Sequence, residues 1–249
     1  MGKLVLIATP IGNMEDLTYR AARVLGELDA LACEDTRITR RIFERYSIAS
    51  PRTVFAYHEH NEETSGRRIL GLLEEGLNVG ICSDGGCPGI SDPGYRAIRA
   101  ALAAGHTLEV LPGPSAVHTA LLLSGLPSSS YTFKGFPPRK TGARKRFLEI
   151  DRALPHTLVF FESPFRIGAF LADALDVLGD REAAVCLELT KQFERIHRGR
   201  LSALVPQFAT QPKGEATIVV AGLQRADAQP EDDDDAAEDP KDDDANYFG

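Results

Sequence analysis

Short apolar runs alternate with helical periodicity from the amino terminus to Leu111, and this rhythm restricts the chain more than any other feature. Runs at Leu4–Ala8, Ala30–Cys33, Thr53–Ala56, Val79–Cys82 and Leu108–Leu111 are strand-length. Between them lie helical patterns over Leu17–Leu28, Thr36–Tyr46, Glu62–Glu75 and Tyr95–Ala104. Strand and helix in strict alternation predict a mostly parallel sheet covered by helices on both faces.

Pro112-Gly113-Pro114 breaks the rhythm. Beyond it the sequence predicts helices over Ser115–Leu123, Arg144–Ala153, Arg166–Leu178 and Leu201–Ala209. Strands are predicted over Tyr131–Lys134, Thr157–Phe161, Ala184–Leu189 and Ala216–Ala221. The segments Glu194–Arg198 and Ala216–Ala221 read as neighbouring antiparallel partners, so this second sheet is expected to be mixed. The fold class is therefore α/β, with two α/β domains, 1–112 and 113–225, and a ligand cleft between them.

Charge is unevenly spread. The net charge is −8, yet residues 226–249 hold eleven acids against one base and leave the body at +2. That acidic run is poor in apolar residues and is expected to be a disordered tail, solubilising rather than autoinhibitory. Basic residues gather at Arg37–Arg45, Arg139–Arg146 and Lys191–Arg200, a pattern that fits either solvated helix faces or a polyanion footprint. Four cysteines without a C-x-x-C pair argue against zinc or disulfides, and buried reduced thiols are expected. No apolar stretch reaches membrane-spanning length, and the run before Pro10 is too short for a secretory leader, so a cytoplasmic protein without membrane contact is expected.

The site is signalled by the loop Ser83–Gly94, which follows the apolar run Leu77–Cys82 and contains four glycines, two prolines, Asp84 and Asp92. Its place, after a strand and before a helix, is where open α/β sheets bind ligands. It has neither the lysine of a phosphate-binding loop nor a G-x-G-x-x-G spacing, and Ala8–Asn13 lacks that spacing too, which excludes a dinucleotide fingerprint. Two carboxylates without a cation suit a ligand bearing hydroxyls or positive charge. A tight structural turn with solvated aspartates is the plainer reading, disfavoured by the loop's length.

Further motifs complete the pattern: Thr9-Pro10-Ile11-Gly12-Asn13, Glu34-Asp35-Thr36-Arg37, Leu111-Pro112-Gly113-Pro114-Ser115-Ala116, Phe161-Glu162-Ser163-Pro164-Phe165-Arg166, Glu188-Leu189-Thr190-Lys191 and Lys213-Gly214-Glu215. With Ser83–Gly94 they closely resemble the tetrapyrrole-methylase superfamily, and within it the branch that methylates ribosomal RNA. The resemblance runs from Lys3 to Gly222 and leaves out the acidic run. It implies a homodimeric methyltransferase that uses S-adenosylmethionine, bound in the cleft, to modify a cytidine 2′-hydroxyl in the decoding region of 16S rRNA within the small ribosomal subunit. Gly85 and Cys87 depart from the Ala and Thr more usual in the family, and Cys87 loses a hydroxyl.

By the same resemblance, Pro10, Asp84, Gly86, Pro88, Ile90 and Asp92 form one wall of the cofactor pocket. Ser115 and Ala116 open a helix whose free amides can hold the methionine carboxylate, and Phe161 with Ala216 and Thr217 closes the adenine side. Only one of Phe160 and Phe161 can face inward. Candidate bases for the methyl transfer are Glu34, Asp35, Glu162, Lys191 and Glu215, although Asp35 is equally suited to cap the helix from Thr36. Arg37, Arg166, Lys191 and Lys213 are assigned to RNA phosphates or to orienting these carboxylates, and Arg139 and Lys140 to a loop with Phe136 that can stack and bind phosphate. No metal site is expected. The alternatives are a tetrapyrrole methyltransferase of the same superfamily and a non-catalytic RNA-binding module. Porphyrin methylases carry a Gly-Asp-Pro loop with a following Tyr-Gly where this chain has Ser83–Gly94. Site-like loops at so many strand ends speak against the second alternative.

Overall fold

The structure is a computed structural model that describes residues 2–223. The acidic run 226–249, expected to be disordered, lies outside the described residues.

The first half alternates as its apolar pattern requires: β1 (Lys3–Ile7), α1 (Tyr19–Leu25), β2 (Ala30–Cys33), α2 (Thr36–Tyr46), β3 (Thr53–Ala56), α3 (Glu62–Glu74), β4 (Val79–Cys82), α4 (Tyr95–Ala103) and β5 (Thr107–Leu111). All five strands are parallel, in the order β3-β2-β4-β1-β5. Both β2 and β4 are buried throughout, with one core on each face of the sheet, which explains their continuous apolar runs. The first helix is shorter than expected. Thr18 accepts a bond from the Ala21 N–H and fixes its start, Gly26 ends it, and Met14–Asp16 forms a separate 3-10 turn.

The second half contains α5 (Ala116–Ser124), β6 (Tyr131–Phe133), α6 (Thr141–Glu149), β7 (Thr157–Glu162), α7 (Ile167–Leu178), β8 (Glu182–Leu187), β9 (Arg195–Arg200), α8 (Leu201–Leu204) and β10 (Ala216–Val220). Its sheet is mixed, in the order β6-β7-β10-β8-β9, with β6 and β7 parallel and the other pairs antiparallel. The expected pairing of Glu194–Arg198 with Ala216–Ala221 is not found, because β8 lies between β9 and β10. The reason is burial: every residue of β10 is buried and demands a central place, whereas arginine-rich β9 tolerates only an edge. The expected helix Leu201–Ala209 tightens to a 3-10 turn from Val205 at Pro206, which has no N–H to give. Among the described residues no helix is long and apolar enough to cross a membrane.

One member of the basic cluster Arg139–Arg146 is not on the surface at all. Arg144 is 2% exposed; its Nε donates to Asp173 Oδ2 at 2.7 Å and its Nη1 to the Arg139 carbonyl at 3.1 Å. This ion pair ties α6 to α7 and holds the end of the Phe136–Lys140 loop. Removing one partner strands a buried charge, so Asp173→Ala is expected to cost about 3–5 kcal/mol. A denaturant titration that leaves the midpoint unmoved would remove the pair from the structural account.

Candidate active site

Register builds the floor of the site. Ile7 and Cys33 both stand opposite Cys82, so the chain leaves β1, β2 and β4 at one level. Thr9 and Gly86 exchange two backbone hydrogen bonds of 2.9 Å, and Thr9 Oγ1 donates to the Ser83 carbonyl, which zips the first loop onto the fourth. Asp84 Oδ1 accepts the Asp35 N–H at 2.9 Å, while Glu34 Oε2 accepts the Asp84 N–H at 3.2 Å. The loop then turns back at Gly94 (φ 149°), where a Cβ would lie 2.9 Å from the Gly89 nitrogen. Only glycine fits there.

Above this floor lies a cavity of about 1060 Å³, lined from both halves. It takes in Pro10, Glu34, Asp84, Gly86, Ile90 and Asp92 from the first half. From the second come Ser115, Ala116, Phe161, Glu162, Lys191, Glu215, Ala216 and Thr217. Adjacent Phe160 and Phe161 divide as pleating demands: Phe160 is fully buried in the core, and Phe161 reaches the cavity. There it meets Phe133 and Phe136 at ring-centroid distances of 4.8 and 5.5 Å, giving one wall an aromatic surface. Ser115 precedes α5 without a side-chain cap bond, so the first amides of that helix open toward the cavity.

Several sequence candidates lie elsewhere. Pro88 is buried beneath the loop and is not part of the lining. The Asp35 carboxylate caps α2 through the Arg37 N–H at 2.8 Å and grips the Arg37 guanidinium, which lowers its pKa to about 2. Arg37 is thereby drawn to the outer side of α2, against a shallower groove. Arg139, Lys140 and Lys213 are exposed and outside the lining, although Gly214 and Glu215 beside Lys213 belong to it. Arg166 also stands behind the wall, with its Nε donating to Glu162 Oε1 at 2.7 Å.

The charges inside are distinctive. Burial first, and the nearby Glu34 charge second, push Asp84 and Asp92 up to about 6. Glu162 is buried, and its Oε1 accepts from both Ser163 N–H and Arg166, whereas its Oε2 has no hydrogen-bond partner. Lys191 is held between Glu188 Oε1 and Glu215 Oε2, each at 3.0 Å. Burial opposes its charge, but the bonds to Glu215 and Glu188 prevail and raise its pKa, so it sits in the site as a cation.

Sequence reasoning missed Ile38, Arg41 and Ile42, which line the cavity from α2. Their signal was present, one helical turn beyond the Glu34-Asp35-Thr36-Arg37 motif. It also missed His118 and Tyr131, whose Nε2 and hydroxyl lie 2.8 Å apart. No local pattern announces a contact between α5 and β6, which meet only because α5 packs on the sheet that β6 borders.

A family model described as tetrapyrrole (corrin/porphyrin) methylases matches residues 3–205. The ribosomal RNA small subunit methyltransferase I of Micromonospora olivasterospora is 46% identical over 91% of this chain and 72% of its own length. The protein of the same name from Thermotoga maritima is 41% identical over 89% of this chain and 99% of its own. Uroporphyrin-III C-methyl transferase from Thermus thermophilus, solved in complex with S-adenyl homocysteine, superimposes with a TM-score of 0.62 at 21% identity, covering 88% of this chain and 97% of that one. Residue pattern, two-sheet architecture and sequence relatives converge: the chain belongs to the tetrapyrrole (corrin/porphyrin) methylase family.

Proposed function

We propose that this protein methylates the 2′-hydroxyl of a cytidine in the decoding region of 16S rRNA, using S-adenosylmethionine. The observation that carries the reading is one cavity holding three different provisions: crowded carboxylates, an aromatic wall and a buried carboxylate oxygen without a partner. The names of the relatives supply the RNA substrate, and the ligand named for the Thermus thermophilus enzyme supports the cofactor. The same reading makes the small ribosomal subunit the partner, a homodimer the working form and the cytoplasm the setting.

The donor set fits the cofactor. Asp84 and Asp92 offer negative charge to a sulfonium, the amides at the start of α5 suit a carboxylate, and Phe161 with Ala216 and Thr217 flanks a slot for adenine. When bound, S-adenosylmethionine supplies an electrophilic methyl group. The cavity exceeds the usual range of about 300–1,000 Å³ for small-ligand pockets, which leaves room for a nucleoside beside the cofactor.

Within the candidate bases, Glu162 is the assignment. Arg166 and the Ser163 N–H fix Oε1, while Oε2 has no partner but is shut off from solvent, so it takes the ribose hydroxyl proton, as that oxygen accepts the methyl, only once substrate entry opens the wall beside it. Asp35 is occupied by Arg37, and Lys191 is already protonated, so neither is placed to do this. Lys191 instead orders Glu215 at the cavity rim.

The test is transfer of a labelled methyl group to small subunits lacking the modification, with mapping of the labelled nucleotide. Label on a decoding-region cytidine ribose is expected; cofactor binding with label only on a tetrapyrrole would replace this reading. In that assay Glu162→Gln keeps the Oε1 acceptor and is expected to lower kcat by about 10²- to 10⁴-fold with cofactor affinity retained. Wild-type turnover in this variant would discard Glu162 as base.

A second expectation concerns pH. Because Asp84 and Asp92 titrate near 6, S-adenosylmethionine should bind more tightly as pH rises through that value and both groups ionise. The uncharged thioether S-adenosylhomocysteine should show a smaller change, and Asp84→Asn should flatten the profile. Equal profiles for the two ligands in calorimetry would refute a carboxylate–sulfonium contact.

A further inference from the structure

The basic segment Lys191–Arg200 finds no use in the chemistry above beyond Lys191 itself. Its outer part is β9, the terminal strand of the second sheet, whose free edge has no partner strand among the described residues. Arg195, Arg198 and Arg200 are all exposed, and among the described residues none of them lies within ion-pair distance of a carboxylate. Two are nevertheless anchored. Arg198 Nε donates to the Leu123 carbonyl at 2.8 Å, and Arg200 Nη1 to the Asp180 carbonyl at 2.6 Å. A carbonyl anchor orders a guanidinium without cancelling its charge, and leaves further N–H donors for another acceptor. Of the neighbouring acids, Asp180 receives the Ser202 N–H and hydroxyl, Glu194 receives the Thr190 N–H and Glu188 is held by Lys191, while Glu182 stands opposite Arg200 in the register without forming an ion pair with it.

The strand also has a direction. Arg195 pairs with Leu187, next to the Glu188–Lys191 loop that borders the cavity, and Arg200 pairs with Glu182 at the far end. At the usual strand rise the two arginines are roughly 17 Å apart. Phe193, 69% exposed, stands at the cavity end. Pleating sets Arg198 and Arg200 on one face of the sheet and Arg195 on the other, so the long guanidinium side chains flank the outer edge from both sides. An edge bordered in this way, with an exposed aromatic at its head, matches an extended single-stranded RNA backbone better than a compact anion.

We infer that the outer edge of β9 is a phosphate track that leads the RNA strand on one side of the target nucleotide to the cavity mouth. The inference rests on the rRNA reading above. Arginine on an edge strand also discourages strand-to-strand aggregation, a role that would affect solubility but not RNA affinity.

The experiment compares wild type, Arg195→Gln, and the triple Arg195→Gln/Arg198→Gln/Arg200→Gln protein for binding and methylation of small subunits over a salt series. The triple variant is expected to weaken RNA binding by roughly tenfold or more, and to lower the log–log salt slope by about 2, at near 0.7 per lost single-strand contact. Affinity for S-adenosylmethionine and kcat at saturating RNA should be unchanged. Arg195 makes no side-chain hydrogen bond that its loss would break, so the single variant, with a slope lower by about 0.7, serves if the triple protein is unstable. Unchanged affinity and slope in either folded variant would overturn the track, as would an equal loss from Arg67→Gln, an exposed arginine of α3 outside the cavity lining. A wild-type protein that methylates no rRNA would instead bring down the functional reading, and the track with it.

Discussion

The parallel register of β1, β2 and β4 is the constraint from which the site follows. Because Ile7, Cys33 and Cys82 are level, the polar residues that come next in each strand emerge side by side. A shift of one residue in any of these pairings would turn a carboxylate into the core and an apolar side chain into the cavity. The crossed bonds between Glu34, Asp35 and Asp84 lock this alignment from outside the sheet, and the Thr9–Gly86 bridge does so from the other side. The acids of the floor thus owe their places to apolar residues that never meet a ligand.

Neutralisation separates the charges by role. Asp35 has Arg37, buried Glu162 has Arg166, and Lys191 at the rim has two glutamates. Among the described residues, the interior carboxylates Asp84 and Asp92 have no ion-pair partner. Burial and the neighbouring Glu34 charge make their ionisation unfavourable in the folded state, so the fold binds their protons more tightly than the unfolded chain does. Their contribution to stability is present below the ordinary carboxylate pKa and is lost as pH rises through about 6, where a bound cation would restore it. The site is therefore kept at some cost to the protein that carries it.

Much of this was legible in the residues. Alternating runs gave the five parallel strands, and the Gly/Pro-rich loops at their ends supply much of the cavity lining, although Pro88 is not part of it. What sequence could not supply was long-range competition. The place of β9 was settled by the greater burial demand of β10, a comparison between segments that no local pattern contains. Arg144 looked like its basic neighbours until α7 brought Asp173 against it. Asp35 and Glu162 are equivalent carboxylates on paper, and only geometry shows that one is fully occupied and the other has a free oxygen.

The loop that carries Lys191 has one more property. Glu188 (φ 52°) and Thr190 (φ 63°) both take the left-handed conformation without being glycine, a strain of about 1–3 kcal/mol each. Contacts from the first half hold it in place: the Asn13 N–H donates to Thr190 Oγ1 at 3.0 Å, and Gly12 packs so closely that a Cβ would stand 2.7 Å from the Leu189 carbonyl oxygen. Synthesis proceeds from the amino terminus, so Gly12 and the sheet behind it leave the ribosome well before residue 188 is made. The strained loop is then shaped against a template already in place, and the order of translation is also the order in which this corner of the molecule can be assembled.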